Sequence, residues 1–205
     1  IWGHGGYVAP DWSADWLHRE AMAILDSWAA LEGAPSYRVL PAEQQGMLRA
    51  RLEALIRPNT FDPKTKTITV PAVRAEAMGK VADHYVSLFG NAPETAELRE
   101  AYAMKNNTVP DEAHRRALTG FFWWTAWGAS TERPGSAGET VGPDQAGVTP
   151  QRVTYTNNWP SEPLIGNRPP PSLWVWSAFS VLFLIAGIAL LGWHHARTRD
   201  EDEPA

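Results

Sequence analysis

Leu173 to Trp193 reads Leu-Trp-Val-Trp-Ser-Ala-Phe-Ser-Val-Leu-Phe-Leu-Ile-Ala-Gly-Ile-Ala-Leu-Leu-Gly-Trp and carries no charged residue. Twenty-one residues at about 1.5 Å each reach roughly 31 Å, the thickness of a bilayer's hydrocarbon core, whereas a buried soluble helix of this length normally keeps a polar face. Eleven of the residues are Leu, Ile, Val or Phe. At roughly −0.3 to −0.6 kcal/mol each near the membrane centre, they outweigh the small cost of Ser177, Ser180 and the two glycines. The ends agree, because Trp174 and Trp176 precede the apolar run, Trp193 closes it, and indole rings favour the headgroup level. The expected membrane helix is therefore 172–194.

Orientation follows from the flanks. Arg197 and Arg199 after the span outnumber Arg168 before it, which places residues 195–205 on the cytoplasmic side as a tail or linker. The run Asp200-Glu201-Asp202-Glu203 does not reverse this, since carboxylates count little in the rule. His194 and His195 fall at the exit interface. Adjacent helical residues point about 100° apart, so a snorkelling polar pair is the simpler reading than a metal site. This orientation requires a translocation signal upstream of Ile1, cleaved or kept as an anchor.

The residues before the span suffice for one domain with its own core. Setting aside the tail's two arginines and four acids, 16 basic and 19 acidic residues remain, a net of −3, which points to no nucleic-acid or anionic-membrane partner. Cysteine is absent from the whole sequence. Disulfides, thiolate metal sites, iron–sulfur clusters and covalently attached haem within these residues are thereby excluded.

That domain, residues 1–171, reads as helical. A helix from about Ser13 carries Leu17, Ala21, Ile24, Leu25, Trp28 and Leu31 until Gly33, and a second follows Pro41 with Leu48, Leu52, Leu55 and Ile56 on one face. Thr65 to Val70 alternates and is rich in β-branched residues, so with the Asp62-Pro63 turn it forms a hairpin against Asn59 to Phe61, where the only strands are expected. A third helix runs from Pro71 through Val73, Ala77, Val81, Tyr85 and Leu88 to Gly90. A short fourth spans Glu94 to Lys105 and a fifth Asp111 to Ser130. The fifth contains Phe121-Phe122-Trp123-Trp124-Thr125-Ala126-Trp127, apolar all round, and is expected to be buried all round or to rest on a membrane partner. On that reading Trp124→Ala would cost about 3 to 5 kcal/mol. Residues 131–150 read as a Gly, Pro, Ser and Thr loop, and 151–171 as an extended, pinned pre-membrane segment.

Chemistry is sparse. Gly3-x-Gly5-Gly6 matches no nucleotide fingerprint and reads as a tight turn. His4, His18, His84 and His114 are scattered, and only His18 with Asp15 are close enough on one helix to interact. Asp11 and Asp15 flank a helix start, where acids favour the dipole. Asn106-Asn107-Thr108 before Pro110 fits a glycosylation sequon but marks a turn more simply. No catalytic, cofactor-binding or metal-ligating residue is assigned.

Two stretches carry a resemblance. The opening Gly3-His4-Gly5-Gly6-Tyr7-Val8-Ala9-Pro10-Asp11-Trp12-Ser13-Ala14-Asp15-Trp16-Leu17-His18-Arg19-Glu20 is one. The other is Tyr155-Thr156-Asn157-Asn158-Trp159-Pro160 with Glu162-Pro163-Leu164-Ile165-Gly166-Asn167. Together, and in this order ahead of a membrane helix, they resemble the N-terminal region of quinol-dependent nitric oxide reductases of the haem-copper oxidase superfamily. The resemblance implies a mainly α, cytochrome c-like periplasmic domain without haem c, followed by the second membrane helix of an enzyme in the bacterial inner membrane. Two NO, two electrons from quinol and two protons would give N2O and water. The implied cofactors, low-spin and high-spin haem b and a non-haem iron, would be held by downstream catalytic helices, and none of their ligands transfers to these positions. The implied partners are those helices, lipid, quinol and NO. The lack of Cys-x-x-Cys-His agrees with the quinol type.

Two other classes compete. A membrane-anchored periplasmic binding module would line an open cleft with Trp2, Trp12, Trp123 and Trp159 for stacking a ligand such as a sugar. A scaffold subunit of another respiratory complex would need no site.

Overall fold

The computed structural model describes residues 12–133, 153–154, 162–166 and 171–202. The chain divides into two compact units, Ile1–Arg168 and Pro169–Ala205. The first has the expected mainly α architecture with one small hairpin; the second is a single long helix.

Helix α1 (Trp12–Leu31) buries two residues per turn, namely Trp16 and Leu17, Glu20 and Ala21, Ile24 and Leu25, Trp28 and Ala29. That is the stripe expected of a helix packed on more than one neighbour. Leu31, expected on this face, is instead 83% exposed, because the helix ends there. Gly33 takes a left-handed φ of +77°, and Ala34 N–H reaches back to the Ala29 carbonyl, a closure that favours glycine at this position. Helix α2 (Ala42–Ile56) stops two residues short of Pro58 and buries Leu48, Leu52 and Ile56 at four-residue spacing. Arg51 lies 4.2 Å over the Trp28 ring, joining α2 to α1. The hairpin follows, with β1 (Phe61–Asp62) antiparallel to β2 (Thr67–Ile68) and Phe61 opposite Ile68.

Helix α3 (Ala72–Phe89) runs antiparallel to α1. Trp12 lies beside Phe89, Trp16 stacks on Tyr85 at 5.5 Å, and Glu20 meets Arg74. A 3-10 turn (Pro93–Thr95) opens the next element, and α4 (Ala96–Ala101) is shorter than the expected Glu94 to Lys105. The reason is local: Ala103 has φ +52° and Met104 N–H closes on the Arg99 carbonyl, which ends the helical ladder. Helix α5 (Glu112–Ser130) is capped by the Asp111 carboxylate on the Ala113 N–H at 3.1 Å.

The core lies among α1, α3 and α5 and is strongly aromatic. Phe122 of α5 sits 5.2 Å from Tyr85 and 6.0 Å from Trp12, which also touches Tyr102 edge-on. Such pairs add roughly 0.5 to 1.5 kcal/mol each beyond their burial. The expectation that α5 is buried all round is corrected. Thr119, Phe122, Ala126, Ala129 and Ser130 face the core, while Phe121 and Trp124 are 56% and 55% exposed. One helix cannot turn every side to one core, and the domain covers only the Phe122 stripe.

The strands are also more than expected. A second antiparallel pair joins β3 (Glu132–Arg133) to β4 (Val153–Thr154), with Glu132 opposite Thr154, at the start of the 131–150 loop and within the pre-membrane segment. That segment is not wholly extended either, since Pro163–Ile165 forms a 3-10 turn.

In the second unit, α6 (Pro171–Asp202) is 32 residues long, and Trp174–Thr198 is long and apolar enough to cross a membrane. The helix begins before the expected 172–194 and continues beyond it. Thr198 returns its hydroxyl to the His194 carbonyl, and Arg197 lies 5.8 Å over the Trp193 ring.

Among the described residues of the first unit, the Glu20–Arg74 ion pair has no water to fall back on. The Arg74 guanidinium donates to Glu20 at 2.6 Å, with the two side chains 3% and 0% exposed, and Trp16 Nε1 donates to the other Glu20 oxygen at 2.9 Å. Removing one partner leaves a buried charge, so Glu20→Ala is expected to cost about 3 to 5 kcal/mol, while the double change Glu20→Leu with Arg74→Met costs less than either single change. Denaturant titrations of the three variants check the order.

The packing of α5 makes a second expectation. Phe122→Ala should cost about 3 to 5 kcal/mol, and Trp124→Ala only about 1 to 2 kcal/mol, well below the cost expected from all-round burial. Thermal or denaturant unfolding in detergent compares the two directly.

Candidate functional site

The titratable residues singled out by spacing pair differently in space. His18 does not pair with Asp15. Its Nδ1 lies 2.9 Å from the Glu162 carboxylate, a contact across 144 residues that no local pattern could reveal. Asp15 instead accepts from Arg19 Nε at 2.7 Å and from the Tyr85 hydroxyl at 2.6 Å. The Arg19 partner is readable as an i, i+4 pair; Tyr85 is not. Burial pushes the Tyr85 hydroxyl far above the ordinary phenol range, and its hydrogen bond to Asp15 pushes the same way. Burial opposes the Arg19 charge, but the Asp15 carboxylate outweighs it and holds the guanidinium firmly ionised. Tyr85 and Arg19 therefore both keep their protons near neutrality.

His84 sits beside it, half-buried, with Nε2 enclosed and unpartnered. Burial first, then the Arg19 charge, hold its imidazole below the usual range. His114 pairs with Asp111 at 2.7 Å on the surface. Asn106 and Asn107 form the expected turn: Asn107 has φ +53°, its N–H bonds the Gly90 carbonyl, and Asn106 Oδ1 accepts from buried Arg99. Among the described residues, no group of three His, Asp or Glu converges as a metal site requires. His4, Asp11, the Gly3-x-Gly5-Gly6 turn and Tyr155 to Pro160 lie outside the described residues.

Two other places stand out in the geometry of the first unit. The first is the seat of the pre-membrane turn. Glu162 binds His18 and accepts from the Leu164 N–H at 3.0 Å, Ile165 is fully buried, and Arg57 at the end of α2 donates to the Gly166 carbonyl at 3.2 Å. Gly166 has φ +70°, and a Cβ there would come within 2.6 to 2.8 Å of the Glu53 carboxylate. Only glycine fits without moving that side chain. Sequence places this stretch in a pinned segment, and the pin is these contacts.

The second is an aromatic cleft of about 790 Å³ between the hairpin and the end of α5. Phe61, Lys66 and Ile68 line one side, and Trp123, Trp124 and Trp127 the other. The Trp123 and Trp127 indole N–H groups are enclosed without a hydrogen-bond partner. Trp12, expected to share a cleft with Trp123, lies instead in the aromatic core, while Trp2 and Trp159 fall outside the described residues. An open ligand cleft built on Trp12 is not what the fold makes.

His84 carries a pH expectation. A folded-state pKa below the unfolded value of about 6.5 means that the unfolded chain takes up the proton more readily. Its contribution is present above about pH 6.5 and is lost as pH falls below it. Unfolding free energies measured between pH 7.5 and 5.5 should decline less steeply for His84→Phe than for the parent chain.

Comparison with known proteins bears on this picture. No curated protein sequence matches the chain. Residues 1–140 match the family model of the cytochrome c-like domain of NorB, a nitric oxide reductase chain. That match spans most of the first unit, including all three core helices. The chain therefore belongs to the NorB family of nitric oxide reductases through its cytochrome c-like domain.

Proposed function

We propose that this chain is a non-catalytic, N-terminal part of a quinol-dependent nitric oxide reductase of the haem-copper oxidase superfamily. The observation that carries the reading is the NorB family match over residues 1–140, ahead of a helix long and apolar enough to anchor the chain in a membrane. Residues 1–171 lie on the periplasmic side of the bacterial inner membrane, α6 crosses it, and the C-terminal residues are cytoplasmic. The excess of Arg197 and Arg199 over Arg168 supports that orientation.

A c-type haem does not fit these residues. The sequence has no cysteine for thioether attachment, and the space among α1, α3 and α5 is filled by Trp12, Trp16, Tyr85, Phe89 and Phe122. The described histidines are no better placed for haem b, which needs axial ligands on facing helices. His18 is held by Glu162, His114 by Asp111, His84 lies edge-on against Tyr85 with its Nε2 enclosed, and His194 and His195 are neighbours on one exposed helix. Low-spin and high-spin haem b and the non-haem iron belong to other, catalytic helices of the enzyme, where two NO and two protons take up the electrons of quinol.

What these residues do is structural. The Asp15, Arg19 and Tyr85 cluster and the Glu20–Arg74 pair lock α1 to α3, and Phe122 packs α5 onto them. The His18, Glu162 and Arg57 contacts fasten the turn from which the chain proceeds to α6. A domain whose chain is fastened a few residues ahead of its membrane helix is suited to cover the outer face of the catalytic helices and to shape the approach of NO, water or protons.

The test compares two proteins. Purified residues 1–205 should show no Soret band and consume no NO, whereas the full-length gene product should show both, with quinol and not a reduced c-type cytochrome as the donor. Stoichiometric haem on residues 1–205 would overturn the reading, as would a full-length protein without haem or one driven by the cytochrome alone.

A further inference from the structure

The aromatic face of the first unit is large for a surface that the domain itself leaves open. Phe61, Phe121 and Trp124 are 44%, 56% and 55% exposed, Phe121 and Trp124 lie 6.2 Å apart, and Trp123 and Trp127 complete the wall of the cleft. The composition is unusual for a protein–water boundary. It combines indoles, phenyl rings and Ile68 with one amine, Lys66, and among the described residues no carboxylate lines the cleft. Trp, Phe and Lys together are what a bilayer's headgroup level selects, because the rings enter the acyl boundary while N–H and ammonium groups meet phosphate and carbonyl oxygens.

Position in the fold points the same way. Arg57, which grips the Gly166 carbonyl, is two residues from Asn59 at the base of the hairpin, so the cleft and the seat of the pre-membrane turn occupy the same end of the unit. From Gly166 to Pro171 the chain has five steps, at most about 17 Å, and the apolar span starts at Trp174, about 5 Å further along the helix. A bilayer holding that span lies within roughly 22 Å of Gly166 by covalent reach alone. The far end of the unit, at α4, is separated from the hairpin by α3, whose 18 residues measure about 27 Å.

We infer that the face formed by Phe61, Ile68, Phe121, Trp123, Trp124 and Trp127 docks on the lipid headgroup region of the bilayer that carries α6. Membrane lipid is a partner that the tether keeps within reach, and the face has the ring-and-amine chemistry to enter its boundary. The inference needs the membrane helix and not the enzyme assignment, so it stands or falls separately from the reductase reading.

The absence of native cysteine makes the test clean. In residues 1–205 reconstituted into phosphatidylcholine–phosphatidylglycerol nanodiscs, single nitroxide labels are placed at Trp124→Cys, at Phe121→Cys and, for the far end, at Glu97→Cys. The two patch labels should be relaxed strongly by oxygen and about tenfold less than the Glu97→Cys label by a water-soluble nickel chelate, since an apolar face sunk about 5 to 10 Å into the interface is out of the chelate's reach. Circular dichroism confirms the fold of each variant, and agreement between two patch positions guards against one label perturbing the face. Patch labels as accessible to the chelate as Glu97→Cys would overturn the proposal. So would labels shielded from both relaxants and broadened by a neighbouring label, which would assign the face to a second copy of the chain.

Discussion

Everything in the first unit depends on a carboxylate that has been taken out of water. Glu20 is fully buried in the middle of α1 and would be untenable there alone, because desolvating an ion costs several kcal/mol even after relaxation. Arg74 and Trp16 satisfy it from two directions, and Arg74 is aimed by its place in the first turn of α3 and by a long contact with the Ile56 carbonyl at the end of α2. One interaction therefore fixes the register of α1 against α3 and brings the end of α2 to them. Aromatic packing follows from that register: with Glu20 opposite Arg74, Trp16 falls on Tyr85 and Trp12 on Phe89. Buried apolar faces would tolerate a slip of one turn far more readily than this pair would.

The helices are legible in the sequence because their signals are local. Apolar spacing, Pro41, Pro58, Gly33 and Gly90 mark ends that the backbone itself must respect, and the hairpin is announced by a β-branched run beside Asp62-Pro63. The long-range polar contacts are not legible. Asp15 looks like a dipole-stabilising acid and His18 like its neighbour, yet Tyr85 and Glu162, 70 and 144 residues away, are the partners that matter. The error over α5 has a different origin. Periodicity reports how apolar a helix is on each side, not what lies there, so a helix with two apolar faces reads as buried twice when the domain buries only one. The same blindness hides β3 and β4, whose two-residue ladders carry no pattern at all.

The aromatic residues do two opposed jobs in one sequence. Those on α1 and α3 meet Phe122 and fill the space among α1, α3 and α5 with side chains. Rings on the opposite face of α5 gain nothing from the interior. A domain that keeps Phe121 and Trp124 open to solvent forgoes several kcal/mol of burial it could otherwise use, and such a face is retained where it contributes elsewhere.

A fastened turn changes what that surface can do. A long flexible linker would let the unit sample many distances from the bilayer, and any weak affinity of the face would be diluted over that volume. Here the turn is locked by three separate elements: α1 through His18, α2 through Arg57, and the turn's own backbone through Gly166, whose left-handed conformation no side chain shares comfortably. Only five steps of chain separate Gly166 from the start of α6 at Pro171. A patch of a few rings, insufficient to recruit a free protein to a membrane, becomes sufficient when the chain already holds it near the surface, because the entropy of approach has been spent in folding the turn. The pre-membrane motif and the aromatic face are thus two halves of one arrangement, and altering the glycine should weaken the second as surely as altering the rings.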